Sequence, residues 1–261
     1  MITDETVWVW GLPLVPWTME QTLDEIDRAI AARVPSYFIT ANLYYAMVTD
    51  ENADMPAINE RAAFVLADGM PLVWAAHGRL PERVTGSDLI FKICERAAAR
   101  GHRLYFLGGA PGVGEEAAAK LRERYSGVQI VGVESPQMGA LTADDTAALL
   151  RRIREAKTDL LFVALGQPKG ERWMAENLEA LEVPLSVQVG ATLDFVAGRV
   201  KRAPRWMQKT GVEWIFRMLQ EPRRLGPRYL RSIGFLFKMV VRDLAGRGGR
   251  NRTSSPSSSS Q

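Results

Sequence analysis

Leu160-Leu161-Phe162-Val163-Ala164-Leu165-Gly166-Gln167-Pro168-Lys169-Gly170-Glu171-Arg172-Trp173 sets the pattern of the chain. Six apolar residues give way at once to glycine, amide and charge. A short unbroken apolar run bounded by a turn reads as a strand buried on both faces. The same break follows residues 185–189, where Gly190-Ala191-Thr192-Leu193-Asp194-Phe195-Val196-Ala197-Gly198 begins, with Lys201-Arg202-Ala203-Pro204 close behind. Polar and glycine residues at the carboxyl ends of parallel strands line the ligand crevice of an open α/β sheet.

Working outward, the alternation holds over most of the 261 residues. Thr18 and Gln21 have capping-box spacing and open a helix to about residue 33. Residues 37–40, 62–67, 103–107 and 128–133 read as further strands. Helices are expected from Pro71, from a cap at Ser87 or Asp88 through residue 99, from the turn after residue 107 to 125, over 143–156 and over 170–181. Strand, loop, helix, repeated, predicts an α/β fold: a mostly parallel sheet flanked by helices. After Gly198 the chain turns helical, basic and aromatic. The expected division is a core of residues 1–198, a helical appendage of 199–245 and a disordered tail of 246–261, Gly-, Arg- and Ser-rich.

Bulk properties exclude several functions. A single cysteine, Cys94, rules out an internal disulfide and fits a reducing cytoplasm. It reads as buried filler better than as a nucleophile. His77 and His102 are the only histidines, too few for a histidine metal site or a catalytic triad. No secretory signal is visible, and no run reaches the ~20 apolar residues of a spanning helix. The net charge of +3 hides an asymmetry: residues 199–252 hold fifteen basic and three acidic side chains, leaving the rest of the chain at −9. Such a basic segment calls for an anionic partner. Trp206, Trp214, Phe216, Leu230, Phe235, Phe237, Val240 and Val241 interleave with its cations. That pattern suits an amphipathic helix in a membrane interface, or one packed on the core with its basic face in water. No zinc-finger spacing is present, and no nucleic-acid partner is expected.

The polar residues at strand ends are the candidates for chemistry. Asp68 follows an apolar strand and precedes Gly69; it is placed to accept a proton from a bound hydroxyl, or serves as a turn or cap residue. Thr40 and Asn42 offer a hydroxyl and an amide at the same edge, or cap the next helix. Gly108 and Gly109 begin a glycine-rich strand-to-helix turn that would suit a diphosphate or simply a tight bend. Arg83, in a polar loop, is a guanidinium for a departing diphosphate or a solvated surface residue. Gln167 suits a sugar hydroxyl and Lys169 a phosphate. Glu171 would pair with Lys169 or cap its helix. No Asp-x-Asp stands at a strand end, so neither metal nor cofactor is expected. A nucleotide-dependent oxidoreductase remains an alternative, although Gly-x-Gly-x-x-Gly is missing.

Taken in order, Thr40-Ala41-Asn42, Ala67-Asp68-Gly69-Met70-Pro71, Glu82-Arg83-Val84-Thr85-Gly86-Ser87-Asp88, Phe106-Leu107-Gly108-Gly109, Gly166-Gln167-Pro168-Lys169, Gly190 to Gly198, Arg202-Ala203-Pro204 and Glu213-Trp214-x-x-Arg217 resemble the WecG/TagA/CpsF family of glycosyltransferases, family twenty-six of the sugar-transferase classification. The resemblance spans about residues 11–229. It implies a Rossmann-like core with a membrane-associating appendage. The implied reaction is inverting and metal-independent. It takes a sugar, of N-acetylmannosamine or glucose type, from a UDP-sugar to an undecaprenyl-diphosphate-linked saccharide in cell-surface polysaccharide synthesis. The implied location is the inner face of the cell membrane, against an anionic surface, and homo-oligomers are allowed. The implied roles are Asp68 as base, Arg83 as counter-charge to UDP, and Thr40 and Gln167 as holders of sugar or acceptor. Asp194 would meet the nucleoside, and Arg217, Arg224 and Arg228 the lipid diphosphate. Two departures stand out. The family commonly has Pro-Lys-Gln-Glu where this chain has Pro168-Lys169-Gly170-Glu171, and Gly-Tyr-Phe where it has Pro136-Gln137-Met138-Gly139.

Overall fold

The computed structural model describes residues 5–204, 206–207 and 213–250, without the side chains of 224 and 246–250. Among these, eight strands form one sheet in the order β1-β2-β4-β3-β8-β7-β5-β6. The strands are β1 Val7–Val9, β2 Leu12–Leu14, β3 Ser36–Ala41, β4 Val65–Ala67, β5 Arg103–Gly108, β6 Gln129–Glu134, β7 Leu160–Ala164 and β8 Leu185–Gln188. Every pairing is parallel except the β1–β2 hairpin. This is the expected Rossmann-like α/β fold, and all six strands read from sequence are present. The hairpin was not anticipated. Its two-residue turn, Trp10-Gly11, has positive φ at both positions (49° and 82°), the geometry that matches the twist of paired strands.

Helices α1 Met19–Ala32, α5 Gly86–Arg100, α6 Val113–Arg124 and α10 Thr192–Ala197 contribute to the main apolar core with one face of the sheet. Phe38, Phe106, Phe162, Leu185 and Val187 are among its strand-borne members, all fully buried. The other helices of the first unit are α2 Leu43–Glu51, α3 Met55–Arg61, α4 Met70–Ala75, α7 Ala143–Glu155, α8 Lys169–Glu176 and α9 Leu178–Leu181; α8 packs on β8 and β3. The single helix expected over 170–181 is broken at Asn177, so α8 and α9 are separate. Thr18 and Gln21 form the expected capping box of α1. The cap of α5 is Thr85, not Ser87 or Asp88: its hydroxyl oxygen accepts the Asp88 N–H at 3.2 Å. Cys94 is buried in α5 and desolvation pushes its thiol up to about 12, consistent with filler.

The chain forms two compact units, Met1–Glu213 and Trp214–Gln261. The first continues past the boundary read at 198/199 because the next segment is pinned down. Arg199 pairs with Glu116 at 2.8 Å, Arg202 pairs with Asp88 at 2.6 Å, and Ala203 is buried. The second unit contains most of α11 Glu213–Gln220 and all of α12 Pro222–Arg250. Residues 246–250 continue α12, where a disordered tail was expected to begin; residues 251–261 of that tail lie outside the described residues.

Candidate active site

In a parallel sheet every strand delivers its following loop to the same edge. The ends of β4, β3, β8 and β7 are neighbours, so Asp68, Asn42, Gly190 and Gln167 arrive side by side. Two hydrogen bonds close the row. Asn42 donates through Nδ2 to Gln167 Oε1 at 3.0 Å, and Gln167 donates through Nε2 to the Thr40 carbonyl at 3.2 Å. Gln167 thereby reaches across β8 and ties the end of β7 to the end of β3. Asn42 also caps α2, its Oδ1 accepting the Tyr45 N–H at 3.1 Å. One amide thus caps α2 through its acceptor end and holds Gln167 through its donor end. Thr40 is buried, and its hydroxyl lies 3.4 Å from the Gln188 carbonyl.

Asp68 is a different case. The cap position of helix α4 is Gly69, which has no side chain, and the carboxylate one residue earlier, Asp68, accepts the Gly86 N–H at the start of α5. Glycine keeps this junction open. A Cβ on Gly86 would stand 3.4 Å from Thr40 Oγ1 and 3.7 Å from Asp68 Oδ2, filling the gap between them. The surrounding protein disfavours the charged carboxylate and pushes its pKa up to about 6, against the opposing pull of Arg83 and the Gly86 amide; Glu213 and Asp88 add to the rise. A carboxyl titrating near 6 is mostly ionised at neutral pH yet retains basicity, which suits a general base. Arg83, half-buried, lies close enough to Asp68 and Asp88 to act on both.

Sequence reasoning gave no role to Gly86 or Thr85, although Thr85-x-x-Asp88 is a readable N-terminal cap pattern. It also missed the second support of α5. Arg202 donates to Asp88 at 2.6 Å and to Ser87 at 3.0 Å, fixing the helix start that carries the Gly86 N–H. Burial raises the pKa of Asp88, but the hydrogen bonds from Arg202 and Thr85 outweigh it and hold the carboxyl low.

The remaining candidates are more scattered. Gly108 and Gly109 lie at the end of β5, three strand spacings from β3, ~14 Å at ~4.8 Å each. Both have a backbone reason to be glycine, with φ of 96° and 82°. A Cβ on Gly108 would stand 2.8 Å from the Ala164 carbonyl oxygen. The first turn of α6 holds Glu115 and Glu116, and Arg199 is bound to Glu116 and lies 3.4 Å from the Pro111 carbonyl. Lys169 is exposed at the start of α8, whereas Glu171 is fully buried near Tyr45, whose pKa it helps to raise. Gly170 has a packing cause: a Cβ there would fall 2.6 Å from Gln188 Oε1. The buried Gln188 amide occupies the volume a larger residue at 170 would need. Asp194 lies in the first turn of α10. Arg217 lies in α11, and Arg224 and Arg228 in α12, all within the second unit; the side chain of Arg224 is outside the described residues.

Comparison with known families adds to this geometry. The model of the glycosyl transferase WecG/TagA/CpsF family matches residues 7–249, nearly the whole chain. That match sets aside the oxidoreductase alternative and agrees with the parallel sheet and its polar carboxyl edge: the chain belongs to the WecG/TagA/CpsF family of glycosyl transferases.

Proposed function

We propose that the protein is an inverting glycosyltransferase that moves a sugar from UDP to a polyprenyl-diphosphate-linked saccharide during cell-surface polysaccharide synthesis, with Asp68 as base. The observation that carries this reading is the Asp68 carboxyl: raised to about 6 and set against Thr40, Gly86 and Arg83. The acceptor hydroxyl gives its proton to Asp68 as its oxygen bonds to the anomeric carbon. The bond from that carbon to the diphosphate oxygen breaks, and the electron pair leaves with UDP. Arg83 meets the charge that develops there. Thr40 and the Asn42–Gln167 pair hold sugar or acceptor hydroxyls, and Asp194 meets the nucleoside. Arg217, Arg224 and Arg228 serve the lipid diphosphate.

Membrane contact is part of the proposal. No helix among the described residues is long and apolar enough to cross a membrane. Helix α12 nevertheless has two apolar stripes. Leu225, Phe235 and Met239 are buried, while Leu230, Ile233, Phe237, Val240, Val241 and Leu244 are exposed at helical spacing. An exposed apolar stripe beside Arg231, Lys238 and Arg242 suits the interface of an anionic bilayer, here the cytoplasmic leaflet.

Two experiments test the reading. A panel of UDP-sugars is offered with an undecaprenyl-diphosphate-linked acceptor, and the product is identified by mass; no transfer from any of them overturns the assignment. Leu230→Ser with Phe237→Ser, measured by sedimentation with anionic liposomes, is expected to weaken binding at least about tenfold, since burying each side chain contributes ~1.5–3 kcal/mol. Unchanged binding would move the contact elsewhere.

A further inference from the structure

The opposite edge of the sheet carries a feature that the transfer reaction does not use. A cavity of about 350 Å³ lies at the amino-terminal ends of β3, β5, β7 and β8, lined by Arg33, Arg103, Arg154, Lys157, Thr158 and Glu182. From the Asp68 edge it is separated by the length of a strand, ~17 Å for β3.

Four cations therefore face one another around a small space. Asp159, buried beneath them, is already saturated: it accepts both a backbone and two side-chain hydrogen bonds from Arg103, at 2.8 to 3.0 Å, and pairs with Arg33 at 2.9 Å. Arg154 donates to the Ala180 carbonyl and stands 4.0 Å from Glu182. Lys157 is exposed and makes no ion pair among the described residues. The carboxyl ends of α1, α7 and the four-residue α9 point here, the two longer helices each with a partial negative charge of about half a unit. Together with Asp159 and Glu182 they offset at least about three of the four positive charges.

Backbone conformation singles out the same place. Five non-glycine residues among those described have positive φ, and three of them line this cavity: Arg33 at 57°, Lys157 at 52° and Glu182 at 52°. They follow the ends of α1, α7 and α9. Glycine is the low-cost residue for a left-handed helix end, and a side chain there costs on the order of 1 kcal/mol. Strained residues with charged side chains converging on one cavity mark a site where the side chains themselves are needed.

We propose that this cavity is a second anion site, which takes a phosphate-bearing ligand on Lys157 and Arg154. Arg33 and Arg103, committed to Asp159, form its positive wall. Its ligand chemistry is a phosphate or diphosphate group, supplied by a soluble nucleotide or by a lipid headgroup.

The test uses the full chain with inorganic pyrophosphate as probe. Arg83→Gln provides a background in which the carboxyl edge is weakened. In that background calorimetry is expected to find saturable binding, and Lys157→Asn with Arg154→Gln is expected to weaken it at least about tenfold, as for the loss of two charge-assisted contacts. Asparagine tolerates the left-handed backbone, so the change isolates charge. A readout that needs no variant is protection of Lys157 from acetylation by added pyrophosphate, followed by mass spectrometry. Phosphatidylglycerol vesicles form the second arm. Loss of vesicle binding in the double variant assigns the site to headgroups, and loss of pyrophosphate binding alone assigns it to soluble phosphates. Unaltered pyrophosphate affinity in the double variant, or an unprotected Lys157, overturns the proposal.

Discussion

The two edges of the sheet treat charge in opposite ways. At the carboxyl edge the acid that matters, Asp68, is left with one backbone amide and a nearby arginine, and its pKa rises to about 6. At the amino edge Asp159 is buried, but hydrogen bonds from Arg103 outweigh burial and hold its carboxyl low. Chain direction is the common cause. A βα-repeat brings helix starts to one edge and helix ends to the other, so dipoles favour anions at the first and cations at the second. The carboxyl edge is thus prepared for the negative charge of a diphosphate and keeps its own carboxylate reactive. At the amino edge Arg103 and Arg33 neutralise Asp159 outright, which makes that carboxylate a structural clamp and leaves Lys157 and Arg154 for the proposed anion.

Asp68→Asn is the harshest test of this contrast. Turnover should fall about 10³-fold, the range expected for removal of a general base, while UDP binding changes little. Full activity in a lipid-acceptor assay would abolish the distinction between the edges.

Asp159→Asn should act on stability instead. It leaves Arg103 and Arg33 around a buried neutral amide and should cost roughly 3 kcal/mol at pH 7 by denaturant titration. The pH dependences have opposite signs. Asp159 has a folded pKa below its unfolded value, so its contribution is present above the unfolded pKa and is lost as pH falls through the lowered one. Asp68 has a raised pKa, so its contribution is present below the unfolded value and is lost as pH rises through about 6. Melting curves of Asp68→Asn and wild type should therefore diverge as pH rises from about 4 to about 6, in favour of the variant at the higher pH. Parallel curves would show that Asp68 has an ordinary pKa.

A smaller effect probes the row of amides. The Asn42–Gln167 hydrogen bond should appear in a double-mutant cycle with Asn42→Ala and Gln167→Ala as a coupling of about 1 kcal/mol in kcat/KM. Additive losses would mean that the two residues act independently.

Much of the fold was legible because the buried parallel strands are short apolar runs ended by glycine or a polar residue. Residues 160–165 and 185–189 gave β7 and β8 to within a residue. The hairpin β1–β2 was hidden because Trp10 occupies a left-handed position usually taken by glycine or asparagine. The break between α8 and α9 was hidden because residues 169–181 contain no interior glycine after Gly170 and no proline after Pro168. Asn42 was read as either a cap or a functional amide, and it is a cap that also holds Gln167. The orphaned role of Gly170 was invisible, since it depends on Gln188, eighteen positions along the chain.

Local order in the chain was sufficient to determine which residues end strands and which begin helices, because apolar period, caps and turn residues act over a few neighbours. That put Thr40, Asn42, Asp68 and Gln167 on one edge before any coordinates. Strand order was not determined locally, because it depends on which buried faces pack together. Only the tertiary structure decided that β3, β4, β7 and β8 are neighbours, that Asp68 meets the Gly86 amide, and that three charged helix ends enclose one cavity.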